Sequence, residues 1–119
     1  MWTPYDPKWL VTLLQEQFPS EEAAAAALAK CQLGRWESRA YIHFVDSKNA
    51  NEPNAEWQFE RNIILQHPQE GMIVLDVLKD GRIGGVEFVK YIEMGWVEDA
   101  MILTAPIVVP WKASRGLMS

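Results

Sequence analysis

Apolar residues recur every three or four positions in the first third of the chain. This helical spacing is carried by one stripe of large side chains: Trp9, Leu10, Leu13, Leu14 and Phe18. Asp6 and Pro7 are typical of a helix start, and the alanine-rich run at 23–27 has high helix propensity. Gly34 is a suitable helix stop. The pattern predicts a helical hairpin over about residues 7–33.

The apolar period changes to two after Gly34. Trp36, Ala40, Ile42 and Phe44 fall on one side of an extended segment, with polar residues between them. Similar patterns predict strands at about 35–46, 57–65, 72–78, 82–92 and 101–109, followed by a loose tail at 111–119. Helices followed by strands indicate a single α+β domain over 1–119. We expect an N-terminal helical hairpin packed on a four- to five-stranded antiparallel meander.

Asp80-Gly81 predicts a type I′ turn that joins the strands at 72–78 and 82–92. The register that follows pairs Lys79 with Arg82, Leu78 with Ile83, Asp76 with Gly85, and Val74 with Glu87. Gly84 is then expected on the apolar core face, where a helix packs closely. Gly85 is expected on the opposite face, where its missing side chain leaves a shallow dent beside Asp76.

This second face supplies the candidate functional residues. Asp76 and Glu87 are diagonal neighbours across the hairpin, within reach of each other for long side chains. The candidate binding face consists of Asp76, Gly85 and Glu87, together with Glu37, Tyr41 and His43 from the polar side of the predicted strand at 35–46. Two carboxylates beside a dent could bind a small molecule or act as acid and base; they could equally be a solvated surface pair. No residue is assigned a catalytic role.

Charge and motifs narrow the function further. The net charge is −5, which disfavours nucleic acid and is compatible with a basic protein partner. Six Trp in 119 residues exceed what a core of this size needs, and Trp often anchors partners. The glycines at 81, 84 and 85 lack the spacing of a phosphate-binding loop, and His43 and His67 lack metal-ligand spacing. We therefore expect no cofactor and no metal.

The expected location follows from the lone Cys31 and the absence of signal and membrane-spanning patterns. Cys31 ends an alanine-rich helix and is expected to be a buried thiol. A single cysteine rules out an internal disulfide framework and fits a reducing compartment. We expect a cytoplasmic protein that does not interact with membranes.

Two motifs resemble those of a family of small bacterial β-rich domains of unknown function. The first is A-Y-I-H-F at 40–44, and the second is D-V-L-K-D-G-R-I-G-G-V-E-F at 76–88. The resemblance covers about residues 40–89. Some members look like partners encoded beside toxin-like genes, so the resemblance implies a neutralising role. It carries no catalytic residues.

Three functions remain open from the sequence. The first is a non-enzymatic acidic module, such as an antitoxin, immunity or anti-effector protein, that masks a basic partner or forms a homodimer. The second is a small-molecule binder or hydrolase that uses Asp76 and Glu87. The third is a structural or phage-type accessory protein.

Overall fold

The computed structural model describes residues 1–92 as two helices against one sheet, with a further helical segment beginning at residue 89. The strands are β1 (Thr3–Pro4), β2 (Leu33–Ser38), β3 (Tyr41–His43), β4 (Phe59–His67), β5 (Gly71–Leu78) and β6 (Ile83–Phe88). The helices are α1 (Lys8–Gln17) and α2 (Glu22–Ala29). The predicted strand at 101–109 and tail at 111–119 lie outside the described residues.

The predicted N-terminal helical hairpin is confirmed, but it ends earlier than residue 33. Helix α2 ends at Ala29, and Gly34, predicted as a helix stop, lies in β2 and pairs with Thr3. The Asp6 carboxylate accepts a hydrogen bond from the Lys8 backbone N–H at 3.0 Å, which satisfies one of the free amides at the start of α1. Helix α1 buries Leu10, Leu13 and Leu14, and α2 buries Ala24, Ala25 and Leu28. The small alanines let α2 lie close to its neighbours, so both helices cover the same face of the sheet.

Within residues 1–92 the sheet has six antiparallel strands in the order β1-β2-β3-β6-β5-β4. The α+β class is therefore confirmed, but the strand order is not that of an uninterrupted meander. Strand β3 pairs with β6 instead of with β4, its successor in the chain. The loop at 44–58 carries the chain to the far edge, and β5 and β6 then fill the gap.

The predicted strand at 35–46 is in fact two strands. The Ser38 hydroxyl accepts a hydrogen bond from the Ala40 backbone N–H at 3.0 Å, and the chain reverses there from β2 to β3. Ser commonly forms such turns, but this one carries neither Gly nor Pro. The alternation of polar and apolar residues continues through the reversal, which conceals it in the sequence.

Strand β4 contains a bulge between Phe59 and Arg61 that changes which side chains face the helices. Ile63 and Leu65 join the core beneath the helices, whereas Trp57 and Phe59 pack on the opposite face. Strict alternation along 57–65 would predict that all four share one side, and the structure contradicts this. A bulge adds one residue to one strand and so inverts the alternation beyond it.

The bulge also determines where Arg61 lies. It places Arg61 on the side of β4 that faces the helices, the side that carries Ile63. Its guanidinium donates two hydrogen bonds to the Glu21 carboxylate, at 2.8 and 2.9 Å. Arg61 is thereby tied to the residue that precedes α2. A bidentate pair of this kind fixes orientation as well as distance.

The turn between β5 and β6 differs from the predicted type I′ turn. Gly81 has a φ of 91°, but Asp80 does not have a positive φ. The Leu78 N–H donates to the Arg82 carbonyl at 2.8 Å, and the Gly81 N–H donates to the Leu78 carbonyl at 2.9 Å. These bonds describe a three-residue loop that ends in a left-handed glycine.

The longer loop shifts part of the predicted register. Asp76 pairs with Gly85 and Val74 with Glu87, as predicted, but a bulge follows and Ile83 pairs with Val77 instead of Leu78. Strand β6 also ends at Phe88, earlier than the predicted residue 92, because residues 89–92 are helical.

Replacing Gly81 tests the left-handed turn. No atom lies within 4 Å of a Cβ built at Gly81, so a substitution there strains only the backbone. We expect Gly81→Ala to lower the free energy of unfolding by about 1–2 kcal/mol, because L-residues disfavour this conformation. Gly81→Asn should cost less, since Asn tolerates it better. Urea unfolding measures both variants; an alanine variant as stable as the parent would contradict the assigned turn.

Candidate functional site

The candidate residues lie on the sheet face opposite the helices, called here the outer face. Strand β5 is buried on both faces: Ile73, Leu75 and Val77 face the helices, and Val74, Asp76 and Leu78 face outward. The Asp76 side chain is consequently buried, with the residue only 1% exposed. A carboxylate taken out of water this completely needs hydrogen-bond donors around it.

Two side chains from different strands donate to Asp76. The Tyr41 hydroxyl donates to Oδ2 at 2.5 Å, and the Asn62 amide donates to Oδ1 at 2.5 Å. Tyr41 lies on β3 and Asn62 on β4. The Asp76 carboxylate therefore links β4, which is next to β5, with β3, which lies beyond β6. Both oxygens of Asp76 are engaged in short hydrogen bonds to a charged acceptor, which are stronger than neutral ones.

Gly85 allows Tyr41 to reach Asp76. Strand β6 lies between β3 and β5, and Gly85 is the β6 residue paired with Asp76. A Cβ built on Gly85 would overlap the Tyr41 ring and hydroxyl, at 2.5 Å from Cε1 and 2.6 Å from Cζ. The ring therefore crosses directly over Gly85. The prediction of an open dent at Gly85 was wrong, because the side chain of Tyr41 fills it.

Gly84 also lies on the outer face, not on the core face as predicted. A Cβ built there would lie 2.5 Å from Trp57 Nε1 and 2.7 Å from Leu78 Cδ2. The bulge next to Asp76 places both glycines on the same side of β6. Trp57 and Leu78 form a small second core with Val45 on this face. Each glycine thus lies beneath an aromatic ring.

Glu87 and His43 complete the buried polar set. Glu87 is 2% exposed and pairs in register with Tyr41 on one side and Val74 on the other. His43 is 7% exposed, and its ring centroid lies 4.6 Å from that of Tyr41. Its Nε2 lies 2.8 Å from Oε1 of Glu37, and because a carboxylate oxygen accepts, Nε2 is the donor.

The alternation pattern identified this face correctly. All six predicted residues, Glu37, Tyr41, His43, Asp76, Gly85 and Glu87, lie on it, and hydrogen bonds, close contacts or strand register connect each to another. Sequence reasoning missed Asn62 and Trp57. The position of Asn62 depends on the register of β4 against β5, and that of Trp57 depends on the bulge in β4, which the sequence does not mark.

The geometry gives the Asp76 carboxylate a structural role as an acceptor between strands. Asp76 is enclosed by the hydroxyl and amide that bind it. No group of three or more His, Cys, Asp or Glu within residues 1–92 is placed to hold a metal ion. Burial raises the pKa of the Cys31 thiol to about 12, which leaves it protonated and unreactive at neutral pH.

Comparisons with known protein families, curated proteins and solved structures yield no match. The resemblance to small bacterial β-rich domains therefore stays an expectation from two motifs. Across residues 1–92, none of the helices has the length and apolar character needed to cross a membrane. Function must be inferred from the geometry of the chain itself.

Tyr41→Phe tests the contribution of the hydrogen bond to Asp76. The variant keeps the ring over Gly85 and removes one donor from a buried carboxylate. We expect the free energy of unfolding to fall by about 1–3 kcal/mol, the usual cost of an unsatisfied buried polar group. Chemical denaturation measures the loss, and Tyr91→Phe serves as a control for the loss of a hydroxyl from another partly buried tyrosine. Equal small effects in both variants would contradict the assigned role.

Gly85→Ala tests the crossing of β6 by the Tyr41 ring. The added methyl group overlaps the ring, so we expect a loss of stability of about 1–3 kcal/mol, typical of overpacking. The loss should shrink when Tyr41→Ala is introduced as well, because the ring that clashes is then gone. A double-mutant cycle measures this coupling. Additive effects would show that the two residues are not in contact.

Proposed function

We propose that this chain is a non-enzymatic protein-binding module of the antitoxin, immunity or anti-effector kind. The observation that carries this proposal is a pair of exposed tryptophan rings on the side of the sheet that faces the helices. We call this pair, Trp9 and Trp36, the tryptophan surface. Exposed tryptophans are characteristic anchors of protein interfaces.

The fold brings these residues together from separate parts of the chain. Trp36 lies in β2 on the side that faces the helices, where it is in register with the core residue Ile42. Trp9 lies in the first turn of α1. It joins the surface through Phe88, which stacks against Trp9 at 6.2 Å and against Trp36 at 6.0 Å between ring centroids.

The stacking holds the two outer rings in place while leaving them accessible. Phe88 between them is buried, whereas Trp9 is 38% and Trp36 45% exposed. Tyr5 supports Trp36 from the side, with ring centroids 6.1 Å apart. Rings that are already ordered lose little conformational freedom when a partner binds, so more of the contact energy is available for affinity.

The outer face bears on the choice between a binding module and a hydrolase. The Asp76 carboxylate is part of the network that joins β3, β5 and β4, and the Tyr41 ring lies over Gly85 beside it. This arrangement does not favour the hydrolase alternative. The partner is a second protein chain, either foreign or a second copy of this one.

Site-specific photocrosslinking tests the proposed surface. A benzoylphenylalanine residue replaces Trp36 in the full chain, which is expressed in its native host and irradiated. We expect a discrete covalent adduct with one protein, because the side chain at this position is exposed and lies within the surface. Mass spectrometry of the adduct distinguishes a foreign partner from a second copy.

Phe18 provides the matched control for this experiment. It is an exposed aromatic residue of similar accessibility, 40%, but it lies at the end of α1 away from β1 and β2. The same probe at Phe18 should give no specific adduct. The proposal fails if Trp36 gives no adduct, or if both positions give the same diffuse set of products.

A further inference from the structure

Val74 and Glu87 are buried at one end of the outer face. They pair in register across β5 and β6, and each is only 2% exposed. Their side chains face outward with that of Tyr41, because residues paired directly across strands share a face. Neighbours within a sheet flank a side chain but do not lie over it. Burial this complete therefore requires a further layer above this end of the face.

The described residues cover other parts of the outer face. Trp57 packs with Leu78 at the end of β5 opposite to Val74, and the Tyr41 ring lies over Gly85 in the middle. Neither hydrophobic cluster formed within residues 1–92 includes Val74. The burial of Val74 and Glu87 is that of a single chain, so the layer over them comes from the chain itself.

The described part of the chain ends beside Val74 and Glu87. Lys90 donates to the Gln69 carbonyl at 3.0 Å, in the turn between β4 and β5. The Arg39 guanidinium, in the turn between β2 and β3, lies 5.8 Å from the centroid of the Tyr91 ring. Both turns lie at the end of the sheet where β5 begins and β6 ends, which is the end that carries the two buried residues.

An uncharged apolar segment follows within reach of this end of the face. Residues 101–111 read M-I-L-T-A-P-I-V-V-P-W, whereas the stretch at 93–100 contains three acidic residues. The nine positions from Ile92 to Met101 span up to about 30 Å when extended. Neighbouring strands are only about 5 Å apart, so the segment can reach across β6 to Val74 on β5.

We propose that residues 101–111 of this chain pack on the outer face over Val74 and Glu87. The helices then cover one side of the sheet and this segment covers the other. An uncharged segment brings no like charge to the buried Glu87 carboxylate, whereas the acidic stretch at 93–100 would. The inference goes beyond the proposed function and leaves the tryptophan surface accessible, because Trp9 and Trp36 lie on the opposite side of the sheet.

Photocrosslinking from the segment tests this placement. A diazirine analogue of leucine replaces Leu103 in the full chain, and the purified protein is irradiated as a mixture of isotope-labelled and unlabelled copies. We expect crosslinks within one copy to the peptides that carry Val74 and Glu87, because a diazirine reacts with atoms in contact. Leu117 lies outside the segment and is the matched control position, from which these peptides should not be labelled.

The crosslinked positions decide the inference. It fails if the probe at Leu103 labels neither peptide, or labels α1 and β2 instead. Crosslinks between labelled and unlabelled copies would also overturn it, because the layer would then come from a second chain. The adduct expected at Trp36 in the native host does not depend on these results, so the proposed function is tested separately.

Carboxyl labelling of Glu87 tests the same contact from the other side. Carbodiimide coupling to an amine modifies exposed carboxylates such as Glu60 and should modify Glu87 slowly in the full chain. Ile107→Asp should raise the rate at Glu87 by about tenfold or more, because an aspartate resists burial in an apolar contact. Ser114→Asp adds the same charge outside the segment and should leave the rate unchanged.

Equal labelling of Glu87 in Ile107→Asp and Ser114→Asp would contradict the proposed contact. Circular dichroism shows whether each variant is folded. If Ile107→Asp unfolds the whole chain, the crosslink from Leu103 decides the inference by itself, because it requires no destabilising change.

Discussion

The burial of the Asp76 carboxylate is the constraint on which the outer face of the sheet depends. β5 is covered on both faces, so a charge on this strand is removed from water. Leaving it without donors would cost far more than a marginally stable domain can tolerate. Tyr41 and Asn62 supply those donors from β3 and β4, and the register of four strands must be correct for both to arrive. The network therefore specifies strand order as well as contributing stability.

The two adjacent glycines of β6 follow from the same constraint. Tyr41 must cross β6 to reach Asp76, and only a residue without a side chain leaves space for its ring at Gly85. Gly84 accommodates Trp57 in the same way, so the loop at 44–58 can close over this end of the face. A pair of glycines beside carboxylates suggests a ligand site in the sequence, but here the space is taken by the chain's own aromatic rings.

The proposed binding surface is separate from the polar network. The outer face holds Tyr41, His43 and Asp76 in hydrogen bonds, whereas the exposed rings of Trp9 and Trp36 lie on the opposite side of the sheet. Phe88 connects the two regions, because it lies in the strand that carries Gly85 and Glu87 and also stacks between Trp9 and Trp36. The same strand order that satisfies Asp76 thus aligns the rings of the tryptophan surface.

Local sequence patterns determined the helical hairpin, the α+β class and the face that carries Tyr41, Asp76 and Glu87, because each depends on side-chain period within one segment. The pairing of Asp76 with Gly85 agrees with the predicted register because a bulge between Asp76 and Val77 compensates for the extra residue in the turn. Only the tertiary structure decided that β6 lies between β3 and β5, because strand order depends on contacts between distant segments. That order determines whether Gly85 is an open dent or the floor beneath Tyr41, and it places Trp9 beside Trp36 at the surface.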